Sequence, residues 1–134
     1  MMSTRRHIST NSILESEYGY CRAVVQDPFV FISGTAGYDY TTMEIPDDVA
    51  QQAYNSWETI AATLTQADSD LAEIVKTTVY ISETEYAETV LHVCAQMLEN
   101  IRPASTVVTV KGFWRQEIKV LIEATAMWRV QHGR

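Results

Sequence analysis

Glu117-Ile118-Lys119-Val120-Leu121-Ile122-Glu123-Ala124-Thr125-Ala126-Met127-Trp128 is the stretch that decides the fold. Side chains alternate across an extended strand. Ile118, Val120, Ile122, Ala124, Ala126 and Trp128 therefore share one apolar face. The opposite face carries Leu121, Glu123, Thr125 and Met127 and is also largely apolar. The run Phe29 to Ser33 has the same two-sided character, with Phe29 and Phe31 opposing Val30 and Ile32. An antiparallel sheet with one face in water reads polar on that face. This one does not, so both faces are expected to be covered.

Working outward, Gly19 to Val25 reads as a first strand, joined to Phe29–Ser33 by Gln26-Asp27-Pro28, a hairpin turn signal. A polar, tyrosine-bearing loop runs from Gly34 to Pro46. Pro46-Asp47-Asp48 then opens a helix with proline and acidic groups suited to a first turn. Its apolar stripe is Val49, Ala53, Trp57, Ile60, Ala61 and Leu64, ending near Asp68. Val75 to Ile81 alternates and is β-branched. Thr84 is placed to cap a second helix with the stripe Ala87, Val90, Leu91, Cys94, Met97, Leu98 and Ile101, which Pro103 ends. Ser105 to Val110 forms the next strand, and Lys111 to Gln116 leads to the last one. The predicted order is β-β-α-β-α-β-β, an α+β domain with one sheet and two helices on one of its faces. Two helices leave the second face bare. Apolar surface left wet forfeits about 25 cal/mol per Å², so another copy of the chain is expected to cover it.

The 134 residues fit one domain, with residues 1–15 expected as a partly mobile tail. A hydrophobic content of 46% with 20% charged residues is that of a globular chain. Neither a leader pattern nor a run of about 20 apolar residues is present, which predicts a cytoplasmic protein with no membrane partner. The net charge of −7 and the scattered lysines and arginines argue against nucleic acid as a partner. Cys21 and Cys94 stand far apart in apolar settings and read as reduced, structural thiols. His7, His92 and His132 share no ligand spacing with each other or with the cysteines, so no metal site is expected.

Five blocks in register resemble the RidA/YjgF family. These are Phe31-Ile32-Ser33-Gly34, Met43 to Val49, Ile74 to Ile81, Arg102-Pro103-Ala104, and Ile122-Glu123-Ala124-Thr125-Ala126. The resemblance runs from about Tyr18 to Arg129. It implies a chorismate mutase-like fold and a homotrimer whose three sheets form a central barrel with the helices outside. It also implies small-molecule pockets between neighbouring subunits, hydrolysis of reactive 2-imino or enamine acids, and no metal or organic cofactor. Carried over by position, Glu123 matches the glutamate that holds the attacking water. Ser33 and Gly34 match the pocket floor, and Tyr20 an aromatic at its mouth.

One position departs from the pattern. Where the family's deaminases carry an arginine after Pro-Ala, this chain reads Pro103-Ala104-Ser105-Thr106. A guanidinium meets both oxygens of a carboxylate at once. A hydroxyl in its place loses about 1.5–3 kcal/mol of that binding. The helix position that often carries a pocket asparagine is also apolar here, near Val90. Arg102, Lys111 and Arg115 are the cations that could stand in, and Trp114 in the same loop is expected to line the pocket or an interface. Two readings therefore stand: an imine or enamine hydrolase using Glu123, with Ser33, Ser105 and Thr106 as ligand contacts, or a non-catalytic small-ligand-binding trimer. Some relatives are described as ribonucleases. The acidic charge and the lack of a His or Lys constellation disfavour that activity here.

Overall fold

The structure, a computed structural model, describes residues 5–129. One mixed sheet carries the chain. Its strands are β1 (Arg6–Ile8), β2 (Ala23–Gln26), β3 (Phe29–Ala36), β4 (Ile74–Ile81), β5 (Ala104–Thr109) and β6 (Val120–Met127). They lie in the order β1-β2-β3-β6-β4-β5. Only the β4–β5 pair is parallel, because α3 (Ala87–Met97) forms the crossover that a parallel pair requires. The long helix α2 (Val49–Gln66) lies beside α3 on the same face, and a short α1 (Ile13–Tyr18) precedes β2.

The expected order holds for these elements. Asp48 caps α2, its side chain accepting the Gln51 N–H at 2.9 Å. The Asp27-Pro28 turn joins β2 to β3, and its peptide bond is cis. The apolar stripe of α2 buries Ala53, Trp57, Ile60 and Leu64 against Val30, Ile32, Val79, Ile81, Val120 and Ile122 of the sheet. Along β6, Val120, Ile122, Ala124 and Ala126 are buried while Leu121, Glu123 and Thr125 are half-buried and Met127 is exposed. That is the alternation on which the fold was read.

Several boundaries differ from the sequence reading. β1 and the start of α1 lie within residues 1–15, the expected tail, and α1 runs on to Tyr18. Ser12 accepts the Glu15 N–H, and Gly19, at φ 73°, closes α1 in the left-handed region. The first strand accordingly starts at Ala23 rather than Gly19. Thr84 does not cap α3. It opens a 3₁₀ turn, Thr84–Tyr86, and its hydroxyl meets that of Thr109 at 3.1 Å. The last strand begins at Val120, because Ile118 turns into a second small core with Leu14, Ala36, Tyr38 and Tyr40. Trp128 lies just past β6 and donates from Nε1 to the Ala67 carbonyl at 3.2 Å.

The sheet face away from α2 and α3 is open. Phe29, Phe31 and Met127 are exposed on it, the two phenylalanine rings stacked at 5.6 Å. Every residue of the edge strand β5 is exposed. Among the described residues no helix is long and apolar enough to cross a membrane.

Candidate functional site

The β3–β6 register slips between Ile32 and Thr35, so Ser33 and Gly34 bulge opposite Glu123. The bulge shapes the open face. Ser33 is held by both ends, its N–H donating to the Arg22 carbonyl at 2.9 Å and its hydroxyl to the Cys21 carbonyl at 2.7 Å. A Cβ on Gly34 would lie 2.8 Å from Leu121 Cδ2, so the missing side chain lets Leu121 settle on the bulge. Above this floor opens a groove of about 530 Å³, lined by Leu14, Tyr18, Tyr20, Ser33, Gly34, Trp114 and Leu121. The walls are mostly apolar, and Tyr18 and Trp114 stand well exposed on them.

Glu123 follows Leu121 on the same face, outside the groove. Its carboxylate Oε1 accepts the Tyr80 hydroxyl, and its backbone carbonyl accepts the Thr77 hydroxyl at 2.9 Å. The bond to Glu123 raises the Tyr80 pKa, since the carboxylate holds the phenol's proton. Thr78 pairs with Glu123 on one side and Thr106 on the other, so Thr106, Thr78 and Glu123 form a polar row across three strands. Lys76 and Thr125 border the same shallow depression as Glu123 and Thr78.

Four of the sequence-derived candidates, Tyr20, Ser33, Gly34 and Trp114, meet in the groove. Glu123 and Thr106 lie on the adjoining open face. Ser105 pairs with Thr77 and points to the helix side, where it borders a separate depression with Leu91, Cys94, Leu98 and Arg102. Within one chain the sheet thus divides Ser105 from Glu123. Arg115 is half-buried and acts on Tyr38 and Glu117 rather than lining the groove. Burial and a hydrogen bond from its O–H to Glu117 Oε2, 2.9 Å long, push the Tyr38 hydroxyl up to about 12, only partly opposed by Arg115. Lys111 is exposed and Val90 is buried in the core. Among the described residues no group of three or more His, Cys, Asp and Glu is placed to hold a metal ion.

Sequence reasoning passed over Arg22. Its side chain is fully buried beneath the floor of the groove. Nη1 donates to the Gly34 carbonyl at 2.9 Å and to the Thr35 hydroxyl at 3.1 Å. The guanidinium lies 4.2 Å from the centre of the Tyr40 ring and 5.7 Å from that of Tyr20. Among the described residues, its buried Nε and Nη2 have no hydrogen-bond partner. The nearest opposing charge is Glu15. Burial works to raise the Glu15 pKa, but hydrogen bonds from Thr10 and Ser9 together with the Arg22 charge bring it below the ordinary carboxylate value. The available signal was an arginine inside the apolar run Cys21-Arg22-Ala23-Val24-Val25, where a charge is retained only at a cost.

Residues 10–128 match the family model described as Endoribonuclease L-PSP. The crystal structure of Rv2704 from Mycobacterium tuberculosis, a member of the YjgF/YER057c/UK114 family, superposes with a TM-score of 0.86 at 34% identity, covering 93% of this chain and 100% of that one. The 2-iminobutanoate/2-iminopropanoate deaminase of Bos taurus is 31% identical over 101 residues, 75% of this chain and 74% of its own length. The RutC family protein UK114 of Drosophila melanogaster is 36% identical over 85 residues, and the matched part spans 62% of that protein. The fold, the bulge at Ser33-Gly34 and these likenesses together place the chain in the RidA/YjgF family.

Proposed function

We propose that the protein hydrolyses small 2-imino or enamine acids in pockets between the subunits of a homotrimer, in the cytoplasm, with Glu123 holding the water. The observation that carries this reading is the Glu123 carboxylate on the open face, in a polar row with Thr78 and Thr106 beside the apolar groove. One oxygen is held by Tyr80, which leaves the other available to accept a proton from water. The water oxygen attacks the imine carbon while Glu123 takes the water's proton and passes it to the imine nitrogen, giving a carbinolamine. The carbinolamine's hydroxyl proton then passes through Glu123 to the amino group, the C–N bond breaks, ammonia leaves and the 2-oxo acid remains. No metal or organic cofactor enters this chemistry. The relatedness to a protein named as a 2-iminobutanoate/2-iminopropanoate deaminase supports the substrate class.

Assembly is supported by the bare apolar face. Phe29, Phe31, Val108 and Met127 are each more than a third exposed in one chain, and β5 presents an unpaired edge. Burying an apolar side chain of this size contributes about 1.5–3 kcal/mol, so covering the face outweighs leaving it wet.

The test is to generate 2-iminopropanoate in place with an amino-acid oxidase and compare semicarbazone trapping with and without the protein. Faster loss of the imine, abolished in Glu123→Ala, is the expected result. No acceleration removes the hydrolase reading, and equal activity in Glu123→Ala removes the role given to Glu123. A second reading, a binding trimer without turnover, is favoured by Ser105, which places a hydroxyl on the helix side of the sheet where the family's deaminases carry an arginine.

A further inference from the structure

The Arg22 guanidinium is buried, charged and only partly bonded. Two of its donor nitrogens, Nε and Nη2, have no hydrogen-bond partner among the described residues. Buried donors are satisfied in nearly all native structures, and an unfilled pair asks what fills it. Glu15 does not: Thr10 and Ser9 hydrogen-bond its carboxylate, and neither of its oxygens bonds the two Arg22 nitrogens. Tyr40 offers its ring face to the cation, and its hydroxyl, which accepts the Ala36 N–H at 2.8 Å, also interacts with the Arg22 side chain without filling either nitrogen.

The location narrows the answer. Arg22 Nη1 bonds the carbonyl of Gly34, and Gly34 and Tyr20 both line the groove. Tyr20 is the exposed member of the aromatic pair around the cation. It also borders a neighbouring depression with Ser12, Glu15 and Cys21, so its ring has space to move into. A planar fork of N–H donors matches the paired oxygens of a carboxylate or a phosphate, and of the two the carboxylate is the one the hydrolase reading supplies. The remaining walls, Leu14, Tyr18, Trp114 and Leu121, suit a flat apolar body. At about 530 Å³ in one chain, the groove falls within the roughly 300–1,000 Å³ of small-molecule sites.

We propose that the groove binds an aromatic 2-oxo or 2-imino acid, its ring between Tyr18, Trp114 and Leu121 and its carboxylate on Arg22 Nε and Nη2 once the Tyr20 ring swings aside. The choice of 2-oxo and 2-imino acids rests on the hydrolase reading above. The anchor and the aromatic preference rest on Arg22 and the groove.

Phenylpyruvate is the probe. The whole chain, labelled with ¹⁵N at arginine, is titrated while the Nε–Hε resonance of Arg22 is followed. That resonance moves on binding, Arg22→Gln weakens binding at least tenfold, and pyruvate binds at least tenfold more weakly than phenylpyruvate. Phenylacetone, with the same ring and ketone but no carboxylate, binds wild type and Arg22→Gln alike. An Arg22 resonance unmoved at saturation overturns the proposal, leaving Arg22 as the structural counter-ion of Glu15. So does failure of phenylpyruvate to bind, or equal affinity in Arg22→Gln. Should Arg22→Gln not fold, the wild-type resonance decides alone. Arg22-dependent binding without accelerated imine hydrolysis keeps this inference and removes the hydrolase reading. Acceleration with a silent Arg22 does the reverse.

Discussion

Gln52 is fully buried in α2 and serves three backbone groups. Its Nε2 donates to the carbonyls of Pro46 at 2.8 Å and Glu117 at 2.9 Å, and its Oε1 accepts the Lys119 N–H at 2.9 Å. One side chain thereby ties the loop before α2 and the loop before β6 to the helix between them. Gln52→Leu preserves the volume and removes all of these bonds. A buried backbone group left without its partner costs about 1–3 kcal/mol; these three bonds are only part-buried, so at about 1–2 kcal/mol each the loss is about 3–6 kcal/mol against a total stability of about 5–15 kcal/mol. With an unfolding entropy of about 2.1 cal/mol/K per residue, each kcal/mol shifts the midpoint of a 134-residue chain by about 3.5 °C. The expected fall is roughly 10–20 °C. Thermal melts followed by circular dichroism, at one fixed protomer concentration because the proposed trimer would contribute to stability, measure it. The adjacent Gln51→Leu, which disturbs only the exposed bond to Asn55, should stay within about 0.5 kcal/mol of wild type. A Gln52→Leu midpoint within about 3 °C of wild type would refute the reasoning.

Gly37→Ala would place a Cβ 2.5 Å from Gln52 Cα and 2.6 Å from its carbonyl oxygen, both backbone atoms that cannot withdraw. A loss of about 3 kcal/mol in urea unfolding is expected, and an unchanged midpoint would show that the α2 contact is looser than described. Because the Tyr38 hydroxyl is pushed up to about 12 in the folded chain from an ordinary 10, the folded state holds its proton more tightly than the unfolded one. Stability is therefore full below pH 10 and falls as pH rises toward 12. Tyr38→Phe should flatten that fall in melts across this range. Phe31→Glu places a charge on the open face beside Phe29, and light scattering should then report 15.2 kDa protomers in place of the trimers proposed above. Wild-type protein already at 15.2 kDa would overturn the trimer.

The fold and the site were legible to different depths. Alternation along β6 and the stripe of α2 were readable because each is a periodic pattern whose two sides meet different surroundings. Short elements lack such a pattern. Three residues of β1 and six of α1 show no period, although Ser12 and Gly19 bracket α1 with a cap and a left-handed turn. Motif order brought Tyr20, Ser33, Gly34 and Trp114 to one groove, yet it could not say that Ser105 and Thr106 point to opposite faces. That is set by register, since adjacent residues of a strand alternate and β5 aligns with β4 only through the crossover helix.

By itself, the sequence determined the α+β class, the order of the main elements, the two apolar faces of the sheet and membership of a family. All of these are carried by local periodicity and by blocks read in line. The tertiary structure alone decided where charge sits. Arg22 looks like an interruption in an apolar run, and only folding sets it between two tyrosine rings behind Gly34, with two donors unfilled. The physical reason is that the solvation of a side chain is fixed by residues distant in the chain. Tyr40, Gly34 and Glu15 reach Arg22 across loops and strands, and no spacing along the chain encodes their meeting.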